Sequence, residues 1–294
     1  MESPRSVQLD SVRALGAISV LVFHVATSSW TNWLPIVGGF TSHLNVGVTI
    51  FFLLSGFLLY RPFARSTLAA AKSPSLSRYF THRVLRIVPA YWVALTLLAV
   101  WPGLIGVFTS QWWVYYGFAQ SYRMSWRMTG IAPAWSLSVE VAFYVLMPVF
   151  AFAVARMSRG RSFRARARAQ FGMLTVLGVG GVTLHFWIYR AHLMDLQTTL
   201  LAYLLWFALG MGLAVGQVLA DQSATPSRWR QAVIAHPTAC WLLALAIYSG
   251  IALTPFFPRP FDGREYSQAV YTTSPYFKIS LYATSYTKQK LFAI

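Results

Sequence analysis

The chain has 294 residues, 56% of them hydrophobic and 11% charged, with a formal net charge of +17 and a mean hydropathy of +0.52. A soluble domain dresses its surface with about a quarter charged residues, so this composition excludes a water-soluble globular protein. The lack of strict alternation in any segment excludes an outer-membrane barrel, and positive charge gathered in short clusters between apolar runs argues against a nucleic-acid partner.

What remains is an all-α, polytopic transmembrane helical bundle. The start, MESPRSVQLDSVR, is too polar for a leader and no small-residue cleavage site follows, so the first span is read as retained. Four basic segments carry sixteen of the 24 Lys and Arg residues: Arg5 and Arg13; Arg61 to Arg86; Arg156 to Arg168; Arg228 and Arg230. Placing all four in the cytoplasm, with the N-terminus, orients a multi-pass protein in its membrane. About seven spans follow: Ala14–Leu34, Val46–Tyr60, Ile87–Phe108, Ala134–Ala155, Phe171–Tyr189, Leu196–Leu219 and Thr238–Phe257. The second is short, so it is expected to be little tilted, broken, or extended by the loop before it.

Gln111–Tyr122, QWWVYYGFAQSY, is apolar enough to tempt a further span, but a crossing there would put the Arg156–Arg168 cluster outside. Its Trp and Tyr content suits a non-spanning segment at the outer headgroup level. The linker from Arg156 to Gln170 is read as a cytoplasmic helix or as disordered. Cys240, in an apolar run, is expected to be a buried thiol. Pro258–Ile294 holds no convincing span, which divides the chain into a transmembrane region at 1–257 and a tail at 258–294.

Three groups of residues carry chemistry. His24 stands in the run ALGAISVLVF that follows Arg13, eleven residues on, a step of ~16 Å that returns to nearly the same helical face. An ionisable group at that depth faces the bundle interior or a wet cavity. Glu140 is the one acidic residue well inside an apolar span, on a face with Ser136 and Tyr144, at a depth close to that of His24. Taken singly, each has a structural reading, His24 as a neutral histidine bonded to a neighbouring helix and Glu140 as a protonated carboxyl bonded to a hydroxyl. At matched depth the two read as an acid–base or substrate-orienting pair. Arg83 and Arg86 share a helical face in SRYFTHRVLRIVPAYW, with Arg78 and His82 below and Pro89 marking a break or kink. Clustered guanidinium groups suit phosphate oxygens, and lipid headgroup binding is the plainer alternative. Ser55–Gly56 in mid-span reads as close helix packing, with Ser55 lining a channel as the further option. The remaining histidines, His43, His185, His192 and His236, show no metal-ligand spacing, so no metal is expected.

Four motifs in order, LDSVRALGAISVLVFH, GVTIFFLLSGFLLYRPF, RYFTHRVLRIVPAYW and APAWSLSVEVAFYVLMPVF, make residues 8–155 resemble acyltransferase family 3, with only general hydropathy in common beyond them. The resemblance implies an integral-membrane enzyme that moves an acyl group, commonly acetyl, from cytoplasmic acyl-CoA to a hydroxyl of an extracytoplasmic carbohydrate or glycoside. It implies His24 and Glu140 as catalytic residues, and Arg13, Arg83 and Arg86 as contacts of the acyl-CoA. Asp10, Ser55, Trp135 and Tyr144 join them as candidate substrate contacts. The implied partners are acyl-CoA as co-substrate, the sugar acceptor and the lipid bilayer, with no tightly bound cofactor. Members of the family run on to further spans and a late SLYLWH-like motif, so the chain reads as truncated at its C-terminus. Two rival readings are a proton-coupled transporter or flippase using His24 and Glu140 as a relay, and a non-catalytic remnant.

Overall fold

A computed structural model describes residues 7–29, 31, 34, 36–69, 71–127, 129–223 and 228–253. Among them there is no strand, and six helices are long and apolar enough to cross a membrane, with a shorter apolar one at Pro237–Leu253. The chain forms two compact units. Among the described residues the first comprises 7–16 and 48–234, the second 17–47 and 235–253. Helix α1 (Val7–Ser28) contributes to both. The tail at 258–294 and the end of the last expected span, 254–257, lie outside the described residues.

The first unit is built on α3 (Val46–Leu68), α4 (Leu76–Val100), α7 (Trp135–Ser158), α8 (Phe163–Arg190) and α9 (Leu200–Asp221), where α2 (Val37–His43) precedes α3, and α5 (Trp112–Tyr116) and α6 (Met124–Arg127) lie between α4 and α7. Three of these helices outrun the apolar stretches that announced them. Helix α3 continues through the RPFARSTL turn, α8 begins inside the basic linker, and α4 starts eleven residues before Ile87 and passes through Pro89 without ending. The reason is common to all three. Hydropathy marks where the solvent changes, whereas Arg and Ala are good helix formers on either side of that boundary, and a proline is tolerated where neighbouring helices satisfy the freed backbone.

These extensions bring the basic clusters to one end of the unit. Tyr60 donates its hydroxyl to Gln170 Oε1 (3.2 Å), and Arg166 Nη1 donates to the Thr67 carbonyl (2.9 Å). Asp221, at the end of α9, faces Arg65 (3.5 Å) and Arg230 (4.0 Å), the latter on α10 (Arg228–Ala235). The aromatic segment 111–122 lies at the opposite end as α5 and a 3-10 turn, too short to cross. Tyr91 and Trp92 of α4 donate to the carbonyls of Tyr115 (3.0 Å) and Tyr116 (2.9 Å). Arg127 bonds to Thr198 (2.6 Å) in the turn between α8 and α9.

Helix contact in the core depends on missing side chains. A Cβ at Gly210 of α9 would strike the Leu53 carbonyl, and one at Gly56 of α3 would strike the Phe207 carbonyl. The two glycines therefore let α3 and α9 cross almost backbone to backbone, as small residues do in membrane bundles. Beside the crossing, Phe207 stacks on Phe52 (4.9 Å) and Phe143 (4.0 Å), which ties α7 to the same pair.

The second unit packs α2 on α11 (Pro237–Leu253). Tyr248 donates its hydroxyl to the Phe40 carbonyl, and a Cβ at Gly39 would meet the Ala252 carbonyl at 2.5 Å. Cys240, expected to be buried, is exposed on α11. Apolar sequence in a membrane protein says that a side chain avoids water, and Trp241, Leu242 and Leu243 beside Cys240 are exposed as well.

The crossing yields a direct prediction. Gly210→Ala and Gly56→Ala each lower the thermal unfolding midpoint in detergent, at a cost of about 1–3 kcal/mol from overpacking. Gly212→Ala, two residues along the same helix with nothing within 4 Å of its Cβ, does not lower the midpoint and adds up to about 1 kcal/mol of stability from helix propensity.

Candidate functional site

Because Gly56 is consumed by the crossing with α9, its neighbour Ser55 presents on the adjoining face of α3, and there it meets α7. Ser55 Oγ donates to Glu140 Oε1 (3.0 Å), and Tyr144, one turn beyond Glu140, donates its hydroxyl to Oε2 (2.7 Å). Ser136, expected on the same face, instead donates to the Pro133 carbonyl (3.0 Å). Both oxygens of the carboxyl thus have a hydroxyl donor, the minimum that makes such a group tolerable inside an apolar helix bundle.

Glu140 and its two donors line a cavity of about 200 Å³. Facing them across it are Arg13 from α1 and Arg83 and Arg86 from α4, while Phe51, Leu54 and Leu58 of α3 supply an apolar wall. Arg13 is engaged by Asp10, one turn earlier, at 2.8 Å. Among the described residues, neither Arg83 nor Arg86 has a hydrogen bond or ion pair, and Arg83 Nε is buried without a partner. The arrangement is a cation-rich pocket whose one carboxyl is held by hydroxyls, so that two guanidinium groups stay available to an anionic ligand.

Of the residues singled out from sequence, Arg13, Ser55, Arg83, Arg86, Glu140 and Tyr144 converge here. Asp10 reaches the cavity only through Arg13. Trp135 joins an aromatic cluster instead, 5.5 Å from Tyr203 and 6.4 Å from Phe52. Arg78 and His82 are exposed on α4 and are not among the lining residues. His24 belongs to the second unit, half-buried, with its ring edge-on to Phe23 at 5.2 Å. His43 Nδ1 lies 2.7 Å from the Gly39 carbonyl and His185 Nδ1 lies 3.1 Å from that of Ala202. Among the described residues no group of three His, Cys, Asp or Glu could hold a metal ion. Sequence reading passed over Tyr79, whose hydroxyl donates to the Tyr144 carbonyl (3.2 Å). Its signal was Pro148, four residues past Tyr144.

A family model described as an acyltransferase domain, that of acyltransferase family 3, matches residues 6–287, well beyond the 8–155 stretch that carries the sequence motifs. Peptidoglycan O-acetyltransferase OatA of Listeria monocytogenes is 26% identical over 157 residues, covering 48% of this chain and 23% of that protein. O-acetyltransferase OatA of Staphylococcus aureus is 29% identical over 165 residues (51% and 25%), and Nodulation protein 10 of Rhizobium leguminosarum is 31% identical over 169 residues (48% and 42%). The matches thus span about a quarter of the length of the two O-acetyltransferases and less than half of the nodulation protein. No solved structure matches.

Because two hydroxyls hold the Glu140 carboxyl, the effect of removing either depends on the carboxyl being present. Tyr144→Phe lowers thermal stability in detergent by about 1–3 kcal/mol, the cost of leaving a buried polar oxygen unpaired. Combined with Glu140→Leu, the same substitution costs markedly less than it does alone. Strict additivity in that double-mutant cycle contradicts the assignment.

Proposed function

The chain belongs to acyltransferase family 3, and from that premise we propose that it is a membrane O-acyltransferase taking an acetyl group from acetyl-CoA to a hydroxyl of an extracytoplasmic glycan. The observation that carries the reading is the pair of unpartnered guanidiniums, Arg83 and Arg86, facing a carboxyl fixed by two hydroxyls inside one cavity. The names of the relatives, peptidoglycan O-acetyltransferase and O-acetyltransferase, favour acetyl as the group and a sugar as the acceptor.

In this proposal the end of the first unit that gathers Arg61, Arg65, Arg166 and Arg230 faces the cytoplasm, by the excess of Arg on that side, and the N-terminus lies on the same side of the inner membrane. The donor enters from there. Its phosphates meet Arg83, Arg86 and Arg13, for which planar guanidinium is the better match than ammonium. The pantetheine arm runs along Phe51, Leu54 and Leu58. The acceptor approaches from the opposite side. Of the residues read as substrate contacts, Ser55 and Tyr144 serve Glu140 directly, Asp10 serves Arg13 on the donor side, and Trp135 packs in the aromatic cluster with Tyr203.

The chemistry is assigned to His24. The acceptor oxygen attacks the thioester carbon, the C–S bond breaks, and CoA departs as thiolate. The hydroxyl proton passes to the imidazole and from it to the thiolate. The alternative order uses the imidazole nitrogen as the first nucleophile, and the acceptor then displaces an acyl-imidazole with the same balance of protons. Acid quench during single turnover separates the two, since only the second leaves label on the protein. Glu140, its carboxyl fixed by Ser55 and Tyr144, orients the acceptor hydroxyl. No tightly bound cofactor takes part.

In nanodiscs given radiolabelled acetyl-CoA and a glycan acceptor, His24→Ala abolishes transfer while membrane insertion and thermal stability persist. Arg83→Ala raises KM for acetyl-CoA about tenfold or more with a smaller change in kcat, and Arg83→Lys restores it only in part. Thioester left intact by the unsubstituted protein, or a proton flux in its place, contradicts acyl transfer and favours a transporter.

A further inference from the structure

We propose that Tyr79 is a positioning residue that sets the spacing between the arginines of α4 and the carboxyl of α7, acting through a main-chain carbonyl that a proline leaves open. In an α-helix the carbonyl of residue 144 accepts the N–H of residue 148. Residue 148 is Pro, inside α7, and has no N–H to give. The Tyr79 hydroxyl of α4 takes that place, 3.2 Å from the Tyr144 oxygen. The residue whose carbonyl is held in this way is the one whose own hydroxyl holds Glu140 Oε2 at 2.7 Å.

Tyr79 also touches the third helix of the site, with its ring edge-on to Phe63 of α3 at 6.0 Å. Arg83 follows it by one turn on the same face of α4. A single side chain therefore runs from the helix of Arg83 to the helix of Glu140 and rests on the helix of Ser55. It lines no part of the cavity, so its effect on a ligand passes through the groups it holds. Pro148 is the other half of the device: by emptying one helical hydrogen bond it gives α4 a directional attachment point on an otherwise apolar surface.

The proposal rests on the acyl-transfer reading only for its kinetic arm, and a second arm needs no activity. The chain has one cysteine, so in a Cys240→Ser background spin labels can be placed at Leu85→Cys on α4 and Val149→Cys on α7, both exposed positions. Tyr79→Phe keeps the ring and loses the donor. Pro148→Ala returns an N–H to the Tyr144 carbonyl and makes Tyr79 dispensable to it.

Tyr79→Phe is expected to broaden the α4–α7 distance distribution and lower the unfolding midpoint. The double variant Tyr79→Phe/Pro148→Ala is expected to recover the midpoint, because the carbonyl is satisfied again, but not the narrow distribution. Where transfer is measured, KM for acetyl-CoA rises about tenfold, the scale of one hydrogen bond, in both variants. A distribution unchanged by Tyr79→Phe overturns the proposal, as does a double variant in which distance and KM recover together with stability, which marks a structural role only. An unsubstituted protein without transferase activity sinks the acyl-transfer reading, and the label distances still decide the role of Tyr79.

Discussion

A carboxyl group in an apolar helix must be answered, and the way Glu140 is answered organises the first unit. Exposing such a group to hydrocarbon costs several kcal/mol, so the helix that carries it has to dock where donors exist. Ser55 on α3 and Tyr144 on α7 supply one hydroxyl to each oxygen. Neutral donors satisfy the hydrogen-bonding capacity of the carboxyl without drawing on the arginines, and they leave Arg83 and Arg86 unpaired among the described residues. Had one arginine closed on Glu140 as a bidentate ion pair, the pocket would keep one uncommitted cation of α4 rather than two. Arg13, already engaged by Asp10, shows that alternative nearby.

The surrounding architecture delivers these groups by removing atoms rather than by adding contacts. Gly56 and Gly210 let α3 and α9 approach at the backbone, which turns Ser55 toward α7. Pro148 withdraws an N–H and so opens a carbonyl to Tyr79. Each omission is local to one helix, and each is answered by a group on another. Membrane helices gain little from burying apolar surface against one another, since lipid is as apolar as leucine, and specificity has to come from close approach and directed hydrogen bonds.

Much of this was legible in the sequence, for identifiable reasons. Composition and apolar run length gave the bundle and its roughly seven spans, because the bilayer fixes the length of what crosses it. Glu140 and Tyr144 were findable as an i, i+4 pair, and Arg83 with Arg86 as an i, i+3 pair, since helical periodicity is written in the chain. Helix ends were not: α3, α4 and α8 run on through basic turns that hydropathy places outside the membrane. Nor was the choice between packing and lining at Ser55–Gly56, which depends on which neighbour occupies each face. Tyr79 is marked in the sequence only through Pro148, because its partner is a main-chain oxygen 65 residues away. His24 stands in a different compact unit from Glu140, and their partnership belongs to the proposed mechanism.

The central claim is that the cavity beside Glu140 is where the phosphates of an acyl donor meet unpaired arginines. Its most direct test is a cryo-electron microscopy map of the chain in nanodiscs with CoA bound. The account predicts phosphate density against the guanidiniums of Arg83 and Arg86, with the Glu140 carboxyl still bonded to Ser55 and Tyr144. CoA bound elsewhere, with this cavity closed by a direct arginine–Glu140 ion pair, contradicts it.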